Sequence, residues 1–416
     1  METQIREPSH ESFRANLPRR HVVSKIWRAV FRVSTVVGIV ALILLILNIC
    51  NRSFGYVAVE SPFNLESQSL QGVPLEELPK EELLALLEEN VSRGTFRRLD
   101  REKPFEQRSQ EEVYVLLIAE VGEPKIVKTW TLYESLFQRA RVFAQAQEEF
   151  PDAELRFRSW INWDFITSQL SSEVEKAGIR TAILGSLWTI AITILVAFPL
   201  GVGAAVYLEE YAGDNPINRL IQTNINNLAG VPSIIYGMLG LAIFVRSLAA
   251  ITSGAAFGAN GDTAANGRTI LSAGLTLALL VLPLLIINAQ ESIRAVPNSL
   301  RQASYALGAT KLQTVLAHVL PNAIPGILTG TILSISRAFG ETAPLVVVGA
   351  ATYITLDPSG PFSRFTTLPI QIYQWTSRPQ DEYRHLAGAA ILVLLILLLS
   401  LNAFAIILRN RYSRRF

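Results

Sequence analysis

Residues 302–321 read QASYALGATKLQTVLAHVLP, a polar, helix-breaking stretch with a glycine near its centre, set between two long apolar runs. Just before and into it, residues 299–307, SLRQASYAL, are strong helix formers, with Leu300, Ala303, Ser304 and Leu307 on one face and Arg301, Gln302 and Tyr305 turned elsewhere. Gly308 ends or bends that helix, because glycine alone enters left-handed backbone angles without steric cost. A second amphipathic stretch, 311–320, is expected to stop at Pro321, which has no N–H to continue a helix interior. The product is two short helices at an angle with small residues outward, a knob suited to docking into a cleft on another protein. The alternative is an ordinary helix–turn–helix loop between two spans.

The apolar runs on either side belong to a series. Half of the chain is hydrophobic and 17% is charged, against about 25% charged in soluble domains, so a membrane protein is indicated. A hydrocarbon core of about 30 Å needs roughly 20 helical residues, and six runs are long enough: 30–50, 183–208, 228–248, 270–289, 326–350 and 386–408. The first is long, follows a polar N-terminus and lacks a small-residue cleavage site after Cys50, which favours a retained anchor over a signal peptide.

Orientation follows from Lys and Arg in the short flanks. Arg14, Arg19, Arg20, Lys25 and Arg28 precede the first run, with Arg32 at its edge, and Arg409, Arg411, Arg414 and Arg415 follow the last. Both termini are therefore expected in the cytoplasm, which six spans allow. The 302–321 loop then faces the cytoplasm too, with Arg294, Arg301 and Lys311. The expected organisation is a cytoplasmic segment 1–29, a transmembrane helix 30–50, an extracytoplasmic insert 51–180, a membrane domain 181–408 with a cytoplasmic loop 291–325, and a tail 409–416.

The insert is too polar for membrane and too long for a plain loop. Residues 75–91 read as an amphipathic helix carrying Leu83, Leu84, Leu87 and Val91, and 93–108 as an exposed mixed-charge stretch. Residues 112–121 and 124–132 read as a β-hairpin about Gly122-Glu123, 133–150 as helix and 153–160 as strand, giving a small α+β domain. Trp160, Trp163 and Phe165 either line the membrane boundary or cap the insert's core. The insert itself either meets a binding protein, regulates the membrane domain or braces it.

Arg337 is the residue of most chemical interest. Counting from Gly326 places it roughly 17 Å into the fifth run, near the bilayer centre, where a charge costs at least about 2.5 kcal/mol on insertion scales. Glu341, four residues on, can pair with it. The pair either neutralises itself or serves an anion pathway; the Arg-then-Glu order is the poorer i,i+4 orientation, and Arg presents a fixed fork of donors to oxyanions. Pro199, Pro232, Pro283 and Pro344 are expected to kink the second to fifth spans, and such broken helices often line a pathway. Gly326 and Gly330 suit close helix packing. The single cysteine cannot form an internal disulfide, and the four histidines have no metal-ligand spacing, so no metal site is expected. No catalytic residue is expected either, since no nucleophile, base and oxyanion donors converge.

These segments resemble the permeases of binding-protein-dependent ABC importers. The importer motif runs Glu-Ala-Ala, three residues, Gly, nine residues, Ile, any residue, Leu-Pro. It falls here on Gln302-Ala303-Ser304, Gly308, His318 and Leu320-Pro321, with Gln, Ser and His in place of Glu, Ala and Ile. More narrowly, YLEEYAGDNPINRLIQTNINNLAGVPSIIYGMLGL from Tyr207, the 302–321 loop, GILTGTILSISRAFGETAPL from Gly326 and LPIQIY from Leu368 resemble the PstA family of phosphate importer permeases. The insert resembles the extra outer domain of its longer members.

The resemblance implies an all-α integral membrane protein with six transmembrane helices of the importer permease type, the α+β insert lying outside a bacterial inner membrane. It implies a PstC-like second permease, a PstB-like ATPase dimer and a PstS-like phosphate-binding protein as partners, beside membrane lipid and without nucleic acid. Arg337 and Glu341 would lie on the substrate pathway, and Gln302, Ala303, Ser304, Gly308, Leu320 and Pro321 would couple to the ATPase. Gln302 lacks the carboxylate the motif usually supplies. The chain contains no GxxxxGK[ST], so no cofactor is expected in it; ATP and magnesium would belong to the ATPase. Import of another oxyanion, such as sulfate or molybdate, or a sensory or scaffolding role for the outer domain, is the alternative.

Overall fold

The computed structural model describes residues 17–60, 69–70, 73–74, 78–91, 93–120, 125–151, 153–171, 173–258, 266–350, 354 and 356–412. The chain divides into two compact units, Met1–Asn51 and Arg52–Phe416. The helix Leu17–Ser53 makes up the first unit and enters the second. It starts well before the expected 30–50 anchor, so part of the expected cytoplasmic segment is helical and holds Arg19, Arg20, Lys25 and Arg28; Arg14, Arg414 and Arg415 lie outside the described residues. Ser34 and Thr35 hydroxyls donate to the carbonyls of Val30 and Phe31 one turn back, which satisfies both groups inside the helix.

Among the described residues, five helices are long and apolar enough to cross a membrane, and a bent pair makes six. After Arg19–Ser53 they are Arg180–Tyr211, Ile270–Arg294, Lys311–Gly340 and Asp381–Arg411, with Pro216–Ala229 and Ser233–Ser247 forming the pair. The third span therefore begins well before the expected 228–248 run, and it bends at Pro232 as expected, by a full break. Its two arms meet at 107°. Pro232 has no N–H to offer the preceding turn and forces Val231 out of helical angles, so the chain breaks there and Pro232 caps a new helix.

The fifth span is displaced as well. Its helix begins at Lys311 and ends at Gly340, against the expected 326–350. Pro321 does not stop it, because the preceding turn, Val315–Val319, is a wide π turn in which the Leu320 N–H reaches back to the Val315 carbonyl. That turn relieves the proline clash, and the Asn322 amide donates to the His318 carbonyl at 2.6 Å. Pro344 likewise does not kink this span; it sits at the start of a separate helix, Ala343–Val348. Pro199 and Pro283 do lie inside their helices.

The second and fourth spans pack in parallel. A Cβ at Gly274 would come within 2.7 Å of the Ile192 Cβ, so this glycine permits an approach that a larger residue would block, while one at Gly201 would meet the movable tip of Leu285 at 2.3 Å. Thr193 Oγ donates to the Gly274 carbonyl at 3.1 Å. The helix Leu368–Thr376 folds back against the second span, and its Leu368 N–H donates to Ser186 Oγ at 2.9 Å.

The insert is built around β1, Phe54–Glu60, which leaves the first span directly. It is the middle strand of an antiparallel sheet with β2, Lys125–Thr129, on one side and β3, Glu154–Ser159, on the other. Residues 112–120 are not the first arm of a hairpin. They lie in the helix Gln110–Glu120, which packs with Lys80–Asn90 and Arg93–Glu102 around Leu83, Leu87, Leu99, Phe105, Val113 and Leu117. Ser109 and Glu112 close a reciprocal cap at its start, which overrides the β-branched run that follows. The expected turn at Gly122-Glu123 lies outside the described residues. The 93–108 stretch is ordered, with Arg108 donating to the carbonyls of Leu99 and Lys103.

The insert and the membrane helices from Arg180 onward belong to one compact unit. Trp160 stacks on His385 at 5.5 Å, and Phe165 packs against Trp375 at 6.0 Å. Both are buried, so they cap the core, whereas Trp163 is exposed. Asp357 takes an ion pair from Arg180 at 2.6 Å and a hydrogen bond from Thr181 at 2.7 Å. Burial pushes the Asp357 carboxyl up, but the hydrogen bonds from Thr181, Arg180 and Gln169 outweigh it and hold the group below the usual carboxylate range.

Candidate functional site

Arg337 stands in the last turn of the Lys311–Gly340 helix, not in the middle of a longer one. A helix C-terminus carries partial negative charge, which favours a cation there. Its depth can be read from the neighbouring last span. Arg409 donates to Thr329 at 3.3 Å and Ser336 to Asn402 at 2.8 Å. Arg337 therefore lies about 12 Å along the axis from the level of Arg409. Glu341 has left the helix and is extended, yet its carboxylate still meets the Arg337 Nε at 3.4 Å. The Arg337 side chain is 45% exposed, so its guanidinium keeps donors for another partner.

Two helix breaks converge beside it. The Tyr236 hydroxyl donates to the Leu228 carbonyl at 2.7 Å, satisfying an end carbonyl of Pro216–Ala229 and bracing the 107° bend. Tyr236 also lies within electrostatic reach of Arg337. Next to it Gly237 packs directly on Pro344, where a Cβ would come within 2.6 Å of the proline Cα. Any side chain at 237 would push the bent span off the helix that follows Glu341.

A groove of about 750 Å³ runs along the fifth span, lined by Asn288, Ser292, Asn322, Thr329, Ser336 and Asn402 among others. The Ser292, Thr329 and Ser336 hydroxyls each donate to a carbonyl one turn back, and Asn288 and Asn402 add their amides to the same lining. Gly326, Gly330 and Leu333 line it, and Arg337 follows Leu333 by four residues, so the cation continues the same helix face. Gly326 and Gly330 bring the fifth span against Ser292 and Asn288 of the fourth, with virtual Cβ contacts of 2.6 and 2.4 Å.

The 302–321 knob folds as two helices about Gly308, whose φ of 83° is left-handed. Asn298–Ala306 precedes the turn, and Thr310 with Gln313 forms a capping box at the start of the fifth span. Gln302, Ala303 and Gly308 are exposed. Ser304 is not outward; it is buried and shares a hydrogen bond of 2.8 Å with Thr314, tying the two helices together. Leu320 and Pro321 are half-buried in the continuing helix. Leu307 is 89% exposed, the apolar tip of the knob, although periodicity assigned it to the face shared with Leu300.

Sequence reading missed what fastens the knob. Arg301 meets Glu210 at 2.8 Å, with only 15% and 6% of the two side chains exposed, and also donates to the carbonyls of Ile293 and Val296. Arg294 pairs with Glu209. The signal was present as two acids directly after the second apolar run and two arginines after the fourth, on the side that the charge rule makes common to both. Among the described residues no group of His, Cys, Asp and Glu could hold a metal ion.

A probable ABC transporter permease, YqgI of Bacillus subtilis, is 33% identical over 59% of this chain and 83% of its own length. The phosphate transport system permease PstA 1 of Mycobacterium tuberculosis is 37% identical over 61% of this chain and 77% of its own. Among solved structures, the inward-facing MetNI methionine ABC transporter is similar at 18% identity with a TM-score of 0.41, over 57% of this chain and 98% of that one. The model of the binding-protein-dependent transport system inner membrane component matches residues 197–416, just over half of the chain and all of the broken spans, groove and knob. A multi-pass helical subunit with those features is a membrane permease, and the chain belongs to the family of binding-protein-dependent transport system inner membrane components.

Proposed function

We propose that this permease passes inorganic phosphate inward as part of an ATP-driven importer. The observation that carries the reading is the half-exposed guanidinium of Arg337 at the meeting point of two broken helices, one turn beyond a groove that holds Asn288, Ser336 and Asn402. Arg offers a forked, permanently charged donor set that matches a tetrahedral oxyanion, while Glu341 orients the fork and disfavours anions of higher charge. Relatives named as phosphate transport permeases support the choice of anion. The test is ATP-dependent uptake of labelled phosphate by the assembled importer in vesicles. Phosphate is expected to compete with itself while sulfate and molybdate do not; competition by sulfate or molybdate at equal concentration would move the assignment to that anion.

Catalysis belongs to a separate ATPase dimer, which binds the ATP and magnesium, and a second permease completes the pathway. A phosphate-binding protein delivers the anion from outside. The knob is the coupling element, with Gln302, Ala303, Gly308 and Leu307 presented to the ATPase and Ser304 holding their spacing. Both termini lie in the cytoplasm with it. Gly308→Ala tests this with little steric disturbance, because a Cβ there meets no atom within 4 Å while φ stays at 83°. The backbone cost is about 1–2 kcal/mol, enough to shift the turn. Uptake is expected to fall several-fold with the protein still assembled in the membrane; unchanged uptake would remove the turn from coupling.

A further inference from the structure

The insert carries an apolar ridge that nothing described so far employs. On the helix Leu132–Phe137, Tyr133, Leu136 and Phe137 are 55%, 62% and 76% exposed, at the i, i+3, i+4 spacing of one face. The Tyr133 and Phe137 rings lie 5.2 Å apart. The helix is rigidly set: Thr131 and Glu134 form a capping box, and buried Ser135 accepts from the Tyr56 N–H at 2.9 Å on the opposite face. Arg139 and Arg141 follow at once, both exposed, with Arg139 over the Phe143 ring at 5.2 Å.

Its level is fixed by the chain. Tyr56, which holds Ser135, is three residues beyond Ser53, the last residue of the first-span helix. Glu134 lies within electrostatic reach of His385, in the opening turns of the last span. Trp160 stacks on that same His385, and Trp163, three residues later, is 76% exposed. Aromatic rings, leucine and arginine exposed together beside the opening turns of the last span have the composition of an element lying in the interface. A face that merely met water would not concentrate its largest apolar groups there.

We infer that the insert is seated on the outer leaflet through Tyr133, Leu136, Phe137 and Trp163, with Arg139 and Arg141 against the phosphates of anionic phospholipid. The contact fixes the tilt of the sheet over the outer mouth of the membrane helices. It does not depend on which anion is carried.

The experiment uses the full chain, with Cys50→Ser, in nanodiscs of phosphatidylcholine and phosphatidylglycerol. An environment-sensitive fluorophore is attached in turn at Phe137→Cys, Trp163→Cys and, as a control on the helical lobe, Val115→Cys, which replaces another exposed apolar residue. Lipid bearing a spin label just below the headgroup is expected to quench positions 137 and 163 at least threefold more than 115. Arg139→Gln with Arg141→Gln should weaken quenching at 137 in the anionic discs and leave it unchanged in pure phosphatidylcholine. Equal quenching at all three positions overturns the inference, as does protection of 137 that appears only when an outer binding protein is added. Labels at two separate elements keep the outcome decisive if one variant fails to fold.

Discussion

Arg337→Gln is expected to lower phosphate uptake by the assembled importer by roughly 10- to 150-fold, the equivalent of about 1.5–3 kcal/mol for a hydrogen bond to a charged group. The glutamine keeps length and some donors but loses the permanent charge and the fork. Arg337→Lys keeps the charge without the bidentate geometry and should fall between the two. Because the guanidinium is 45% exposed, the substitution should leave the folded protein nearly as stable as before. That separation makes the result interpretable. Were the Arg337–Glu341 pair present only to neutralise itself, removing both charges with Arg337→Gln and Glu341→Gln would restore transport. On the pathway reading the double variant stays as impaired as Arg337→Gln alone. Labelled phosphate uptake at saturating ATP, with the protein level measured in the same vesicles, decides between them.

Glu210→Ala is expected to produce the largest loss of stability. With 6% and 15% of the two side chains exposed, Glu210 and Arg301 form a buried pair, and deleting one partner of such a pair costs about 3–5 kcal/mol because the other charge is stranded. Arg301 would keep the carbonyls of Ile293 and Val296 and the Asn298 side-chain oxygen, none of them charged. Since this pair pins the knob to the end of the second span, the variant should also hydrolyse ATP in the complex without importing in proportion. Glu209→Ala is the control. Its partner Arg294 is 69% exposed, and exposed pairs contribute about 0–1 kcal/mol. Thermal unfolding in detergent should therefore move strongly for Glu210→Ala and little for Glu209→Ala. Equal shifts would mean that burial does not govern the pair, and tight coupling in the Glu210 variant would mean that the knob is held by something else.

Much of the membrane architecture was legible in the chain because it depends on local composition. Apolar length set the number of spans, the arginines flanking the first and last runs suggested a side, and Gly308 marked a turn that only glycine enters without strain. Arg337 declared itself as a cation in an oily stretch. The site's other members were less visible. Asn288 and Asn402 are single amides inside long apolar runs, and they matter because the structure sets them along one groove with Arg337 continuing its face.

Hydropathy counts carbon and charge but has no sense of direction, so by itself it ran one span straight through Val231-Pro232 and carried another past Gly340. Whether a proline bends a helix, starts one or is absorbed by a π turn rests on the side chains that cap the nearby carbonyls, Tyr236 for Leu228 and Asn322 for His318, which an average of hydropathy does not register. The sequence by itself determined which segments are apolar enough to enter a bilayer, which of them holds a charge and where the knob turns, since each follows from residues within a turn or two of one another. Only the tertiary structure decided that the two breaks meet beside that charge, because Gly237 and Pro344 are brought into contact by packing across more than a hundred residues, beyond the reach of any local pattern.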